Sequence, residues 1–193
     1  MAKHKYEFRP DKPHASLLNK LYLTEKQRMT LLRWFLFSML LLVISVLQDV
    51  IMCRFSLFGA TTDLVPCTII LMCVLLGSDS GSLFALFASL AYQFSGSSPG
   101  YYVIVLITFL SVGAAMFRQC YLRKSFSADM LCAGVAVILY EVLLFGVGLL
   151  FVHTRVTRWG VFLITGGLSL ITLPILYPIV MSIAKIGGET WKE

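Results

Sequence analysis

Charge is what this chain has least of. Charged residues fill 13% of its 193 positions, against roughly 25% in soluble domains, so an ordinary water-soluble fold is excluded. Cysteine is sparse and unpatterned. Cys53, Cys67, Cys73, Cys120 and Cys132 form no CxxC pair and are odd in number, so neither a disulfide framework nor a metal site is expected. Most of them lie in or beside apolar stretches, where thiols pack as small hydrophobes. A phosphate-binding glycine loop and an HExxH run are also missing, and with them the chemistry those motifs carry. Fixed-period repeats and low-complexity segments are absent too. Connections between apolar stretches reach only about ten residues, too few to fold a domain of their own.

What is present is hydrophobic, at 58% of the chain, and it is gathered into six stretches. These are Leu31–Ile51, Ala60–Gly77, Ser82–Ser95, Tyr101–Phe117, Ala128–Phe151 and Trp159–Ala184. The expected fold is an all-α integral membrane protein, a six-helix transmembrane bundle. Residues 1–29 form a basic segment before it, 30–185 the membrane domain and 186–193 a short tail. If all six stretches cross, the positive charges are sorted. Eight basic residues up to Arg33, then Arg118, Arg123, Lys124, Lys185 and Lys192, share one side; Arg54, Arg155 and Arg158 take the other. Cytoplasmic loops retain Lys and Arg, so both termini are expected inside. The N-terminus does not read as a cleavable signal, since its polar stretch is long and no small-x-small site follows the first apolar run. The net charge of +6 flanks membrane spans rather than a groove-binding element. It suits anionic lipid headgroups and not nucleic acid.

Leu17, Leu18, Leu21 and Tyr22 have the spacing of a short helix lying on the inner surface. Thr24 and Gln27 fit a capping box for the first span, and Trp34 suits the inner interface. Ser82–Ser95 gives roughly 21 Å of helix against a hydrocarbon core of about 30 Å. The second and third stretches are therefore either short spans or a re-entrant pair covered by other helices. Gly96-Ser97-Ser98-Pro99-Gly100 is a tight outer turn, with Tyr101 and Tyr102 at the interface behind it. Pro174 and Pro178 remove backbone donors from the last span and are expected to kink it.

Glu141 is the ionisable residue near the middle of a span, with no Lys or Arg at comparable depth. A charge there costs about 2.5–3.5 kcal/mol on insertion scales. Glu141 is accordingly expected to be protonated, or hydrogen-bonded to hydroxyls such as Ser89, Ser111, Ser169 or Thr172. In the bonded case Glu141→Gln would be tolerated and Glu141→Leu would not. Ser127, Gly134, Glu141 and Gly148 recur every seven residues, a small and polar stripe suited to close helix approach or to lining a groove. Asp49 and Asp63 fall near outer ends of spans, where headgroup-level solvation is expected. Gly96-x-Ser98-x-Gly100 formally matches a serine-nucleophile elbow, with His153 and Asp63 on the same side. The elbow needs a strand-to-helix turn, and no stretch reads as a strand. A rhomboid-type intramembrane protease would require Gly-x-Ser-Gly, and Pro99 replaces that glycine. No catalytic, cofactor-binding or metal-binding residue is assigned.

Over residues 45–150 the chain resembles the rod-shape-determining membrane protein family MreD. Gln48, Thr62-Asp63-Leu64, the glycines Gly77 and Gly81, and Ser95-Gly96-Ser97-Ser98-Pro99-Gly100 fall in the family's order. The basic 118–126 loop and Tyr140-Glu141 in the fifth span also fit. Tyr92 stands where the family has an aspartate, and Thr62 where it has a proline. The resemblance implies a non-enzymatic bacterial inner-membrane component of lateral cell-wall elongation. It would bind a single-span partner of the MreC type and, through it, the MreB cytoskeleton and peptidoglycan synthases. Candidate partner or groove residues are Glu141, Gly134, Gly148, Ser127, Tyr140, Asp63, Gly96 and Gly100. The family's architecture is similar to the substrate-binding S components of energy-coupling-factor vitamin transporters, which is the alternative reading. Those subunits usually present Ala-x-x-x-Ala on their first span, and Leu31–Ile51 contains no alanine.

Overall fold

The computed structural model describes residues 25–50, 54, 60–96, 98–122, 125–151 and 158–186. They form six helices: α1 (Glu25–Val50), α2 (Leu64–Leu76), α3 (Ser78–Phe94), α4 (Tyr102–Tyr121), α5 (Phe126–Leu150) and α6 (Trp159–Ala184). No strand occurs among the described residues. Helix is the structure that satisfies every backbone donor and acceptor within its own segment, which is what apolar surroundings demand. Four of the six, α1, α4, α5 and α6, are long and apolar enough to cross a membrane. The fold is an all-α membrane bundle.

The apolar run from Leu64 to Leu75 is buried at every position. Its helix, α2, packs against all five of the others and forms the axis of the bundle. At 13 residues it is roughly 20 Å long, well short of a hydrocarbon core of about 30 Å. α2 is enclosed by protein, while α3 turns Leu83, Leu86, Phe87 and Phe94 outward. The bundle's outer surface is apolar all round, with Phe35, Leu42, Val105, Phe109, Leu131, Ile171 and Ile175 exposed. Such a coat fits lipid, not water.

A single residue reverses the chain between α2 and α3. Gly77 has φ +89°, which side chains other than glycine's rarely adopt, and its N–H donates to the Cys73 carbonyl at 3.0 Å. One turn later a Cβ on Gly81 would stand 2.8 Å from the Cys73 carbonyl oxygen and Sγ, so the hairpin closes only because that Cβ is missing. The 78–81 stretch, expected as a turn, is thus the first turn of α3. Similarly α4 runs on to Tyr121, so Arg118 is helical rather than part of a loop. α5 begins after Ser125, whose Oγ accepts from the Ala128 N–H at 3.4 Å. The capping residue Thr24, the surface helix before it, His153, Cys53 and the C-terminal tail lie outside the described residues. α6 runs unbroken through Pro174 and Pro178, and both face outward, where the missing donors touch no packed neighbour.

Candidate functional site

Two buried polar clusters interrupt this apolar bundle, one at each end of α2. At the α2 C-terminus, Arg118 and Asp129 form an ion pair with Nε 2.7 Å from Oδ1. Arg118 Nη1 donates to the Val74 carbonyl at 3.0 Å, and the Tyr177 hydroxyl donates to Asp129 Oδ2 at 3.2 Å. Phe126 covers the Tyr177 ring edge-on, with centroids 4.8 Å apart. Carbonyls in the last turn of a helix have no partner within it, and Arg118 supplies one while its charge opposes the negative end of α2. The cluster therefore ties α2, α4, α5 and α6 together.

The sequence places Arg118 in an inner-surface loop and gives Asp129 no role, so the pair is a finding of the structure. A legible signal existed. Arg118 lies in the last turn of α4 and Asp129 in the first turn of α5, and an antiparallel hairpin with a short connection brings two such residues level.

At the α2 N-terminus the arrangement differs. Asp63 occupies the N-cap position but makes no side-chain capping bond. The usual capping task has passed to Gln48 of α1, whose Oε1 accepts from the Val65 N–H at 2.8 Å. The Asp63 N–H donates to Ser169 Oγ at 3.2 Å, and the Cys67 thiol donates to the Ser169 carbonyl at 3.9 Å. Tyr92 of α3, buried, bonds to the Gln48 side chain. On α5, Tyr140 is 0% and Glu141 4% exposed. The Tyr140 hydroxyl and both Glu141 carboxyl oxygens are buried without a hydrogen-bond partner. Glu141 packs on α6 at Gly166, where a Cβ would meet its Cγ at 3.4 Å.

This geometry bears on three expectations. Ser89, Ser111, Ser169 and Thr172 do not bind Glu141. Ser89 pairs with Thr108 at 3.1 Å, Ser169 receives the Asp63 N–H, Thr172 donates to the Ser169 carbonyl at 2.7 Å, and the Ser111 hydroxyl has no partner. Asp63 is not left to headgroups, since its backbone is anchored to α6 within electrostatic range of Glu141. The seven-residue stripe is turned inward. Gly134, Glu141 and Gly148 are buried and only Ser127 is exposed, while a Cβ on Gly134 would meet Leu170 of α6 at 3.2 Å. Small residues here let this chain's own α5 and α6 approach each other.

The remaining sequence candidates sit apart from both clusters. Gly96 is exposed with φ +78°, and the Gly100 carbonyl accepts from the Val103 N–H at 3.1 Å. Ser98 donates its hydroxyl to Gln93 Oε1, a bond within the turn, and with no strand beside it the elbow geometry is not formed. Among the described residues, no group of three or more His, Cys, Asp or Glu side chains is placed to hold a metal ion. No family model, no curated protein and no solved structure matches this chain.

Proposed function

We propose that this protein is a non-enzymatic scaffold of the bacterial inner membrane, serving rod shape and lateral peptidoglycan synthesis by holding a single-span partner of the MreC type. One observation carries the reading. Gln48, Asp63 and Tyr140-Glu141, which fit the resemblance to MreD, lie together around the N-terminal end of α2, with Tyr92, where the family has an aspartate, beside Gln48. That positions from separate segments gather in one part of the bundle supports the reading, while the Ser95–Gly100 turn lies apart from them. Thirteen inner against three outer basic residues support both termini in the cytoplasm, where MreB would be reached through the partner and anionic lipids would meet the basic segment.

The bundle narrows where that partner can dock. α2 is enclosed and the α5 stripe is packed on α6, so of the surfaces considered from sequence only α3 remains open. Its Leu83, Phe87, Ala91 and Phe94 lie on an exposed helical face. At 17 residues, roughly 25 Å, α3 is shorter than the hydrocarbon core, and a full-length helix beside it relieves that mismatch. Co-purification in mild detergent with mass spectrometry tests the reading. An MreC-type protein should be captured, capture should fall for Leu83→Ala/Phe87→Ala, and depletion should make rods widen and round up. A stoichiometric vitamin-like ligand on the purified protein, with cell shape intact on depletion, would replace the scaffold with a transporter S component.

A further inference from the structure

We propose that the outer cluster binds a single positive charge, a small monovalent cation or a proton, between the carboxyls of Glu141 and Asp63. Position comes first. Glu141 rests on Gly166, and Asp63 is anchored to Ser169. These two α6 positions lie three residues apart, neighbours on one helix face at about 4.5 Å of rise. The Glu141 side chain and the Asp63 backbone thus meet α6 within a single turn, with Asp63 itself half-buried and within electrostatic range of Glu141.

The second observation is the state of the oxygens. Both oxygens of Glu141, a residue 96% removed from solvent on its 4% exposure, have no donor, and neither does the Tyr140 hydroxyl beside it have an acceptor. Buried polar groups are nearly always satisfied, and an orphan calls for a reason. Asp63 adds to this. An aspartate at an N-cap ordinarily turns its carboxylate onto the helix N–H groups, and here Gln48 has taken that task at Val65 while Asp63 makes no capping bond.

The charge count fixes the sign of the ligand. The titratable groups facing the two acids are Cys67 from α2, Tyr92 from α3 and Tyr140 from α5, with Asp49 of α1 acting on Tyr92. All are acidic or neutral. The buried base Arg118 is committed to Asp129 and to Val74, roughly 16 Å down α2 from Asp63. Two like carboxyls in a low-dielectric site take up a positive charge rather than stand side by side as anions. Among the described residues no third Asp, Glu, His or Cys joins the two acids as a metal group, and a divalent metal asks for more anionic oxygens. The Tyr140 hydroxyl, left without a partner on the residue next to Glu141, is a neutral oxygen that a monovalent ion can share. The inference is independent of the scaffold reading, since it concerns only this chain.

Carboxyl labelling of the wild-type protein in detergent provides the test. Dicyclohexylcarbodiimide modifies protonated carboxyls in apolar sites, and peptide mass spectrometry locates the adduct. With sodium, potassium or lithium exchanged for choline at constant ionic strength, labelling at Glu141 or Asp63 should fall. At ten times its Kd a bound cation leaves roughly a tenth of the sites open, so the loss should be about tenfold. Labelling indifferent to these ions but lost as the medium turns alkaline identifies the proton as the bound charge. Melting temperature measured over the same conditions should respond in the wild type and not in Glu141→Gln. Labelling that is absent or flat towards both salt and pH overturns the proposal, as does a melting response that is the same in both proteins.

Discussion

Asp129 and Glu141 stand on the same helix about three turns apart, both buried, and their surroundings could hardly differ more. Asp129 has Arg118 on one oxygen and Tyr177 on the other. Glu141 has nothing on either oxygen and a second acid close by. The cluster at the α2 C-terminus is a closed joint in which each charged group answers another, tying four helices at the turn where two of them meet. The cluster at the α2 N-terminus is open in the chemical sense, with both Glu141 oxygens lacking donors. Helix and burial are shared, so the identity of the residues facing α5 makes the difference. A buried acid with its partners in place belongs to the fold, and one without them points to something the chain binds.

That contrast can be broken most forcefully at the inner end. Arg118→Leu leaves Asp129 buried without its counter-charge and should cost about 3–5 kcal/mol, whereas Arg118→Leu/Asp129→Leu should recover most of the loss. Unfolding in detergent measures both, and equal losses in the single and double variants would show that the pair is not a closed joint. Between the clusters, Gly134→Leu forces a side chain into Leu170 and should cost about 2–3 kcal/mol through overpacking. Loss of partner capture with unchanged melting would mean instead that the stripe is a docking face.

At the outer end the sign should reverse. With choline as the only cation, Glu141→Leu removes two unsatisfied acceptors and should stabilise the bundle by about 1–2 kcal/mol. Sequence alone suggested the opposite, because hydroxyl partners were expected there; destabilisation by leucine would restore that view. The smallest effect should come from Tyr177→Phe, which removes one bond to Asp129 at 3.2 Å and should cost about 1 kcal/mol. A thermal melt that does not move would assign Asp129 to Arg118 alone.

Much of the architecture is legible without coordinates. The six expected stretches and the six helices agree to within a few residues at most ends, because apolar length and backbone self-satisfaction leave little choice in a membrane. Glu141 announces itself by being alone in an apolar run, and the Ser127–Gly134–Glu141–Gly148 spacing correctly marks a close helix approach. Where the reading fell short, the missing quantity was a neighbour. Arg118 looked like one more inner-surface base because its partner lies across a turn. Asp63 looked like a headgroup contact because the capping role of Gln48 depends on how α1 leans against α2.

The sequence by itself determined that this is an all-α membrane bundle, how many helices it has, and which residues are too polar for their depth. Those properties depend on composition and spacing along one segment at a time, against a uniform apolar medium. Only the tertiary structure decided that α2 is the enclosed axis, that Gly134 and Glu141 of the stripe pack on α6, and that one buried acid is paired while the other is not. Burial and hydrogen bonding are relations between segments distant in sequence, and they come into being only when the helices pack.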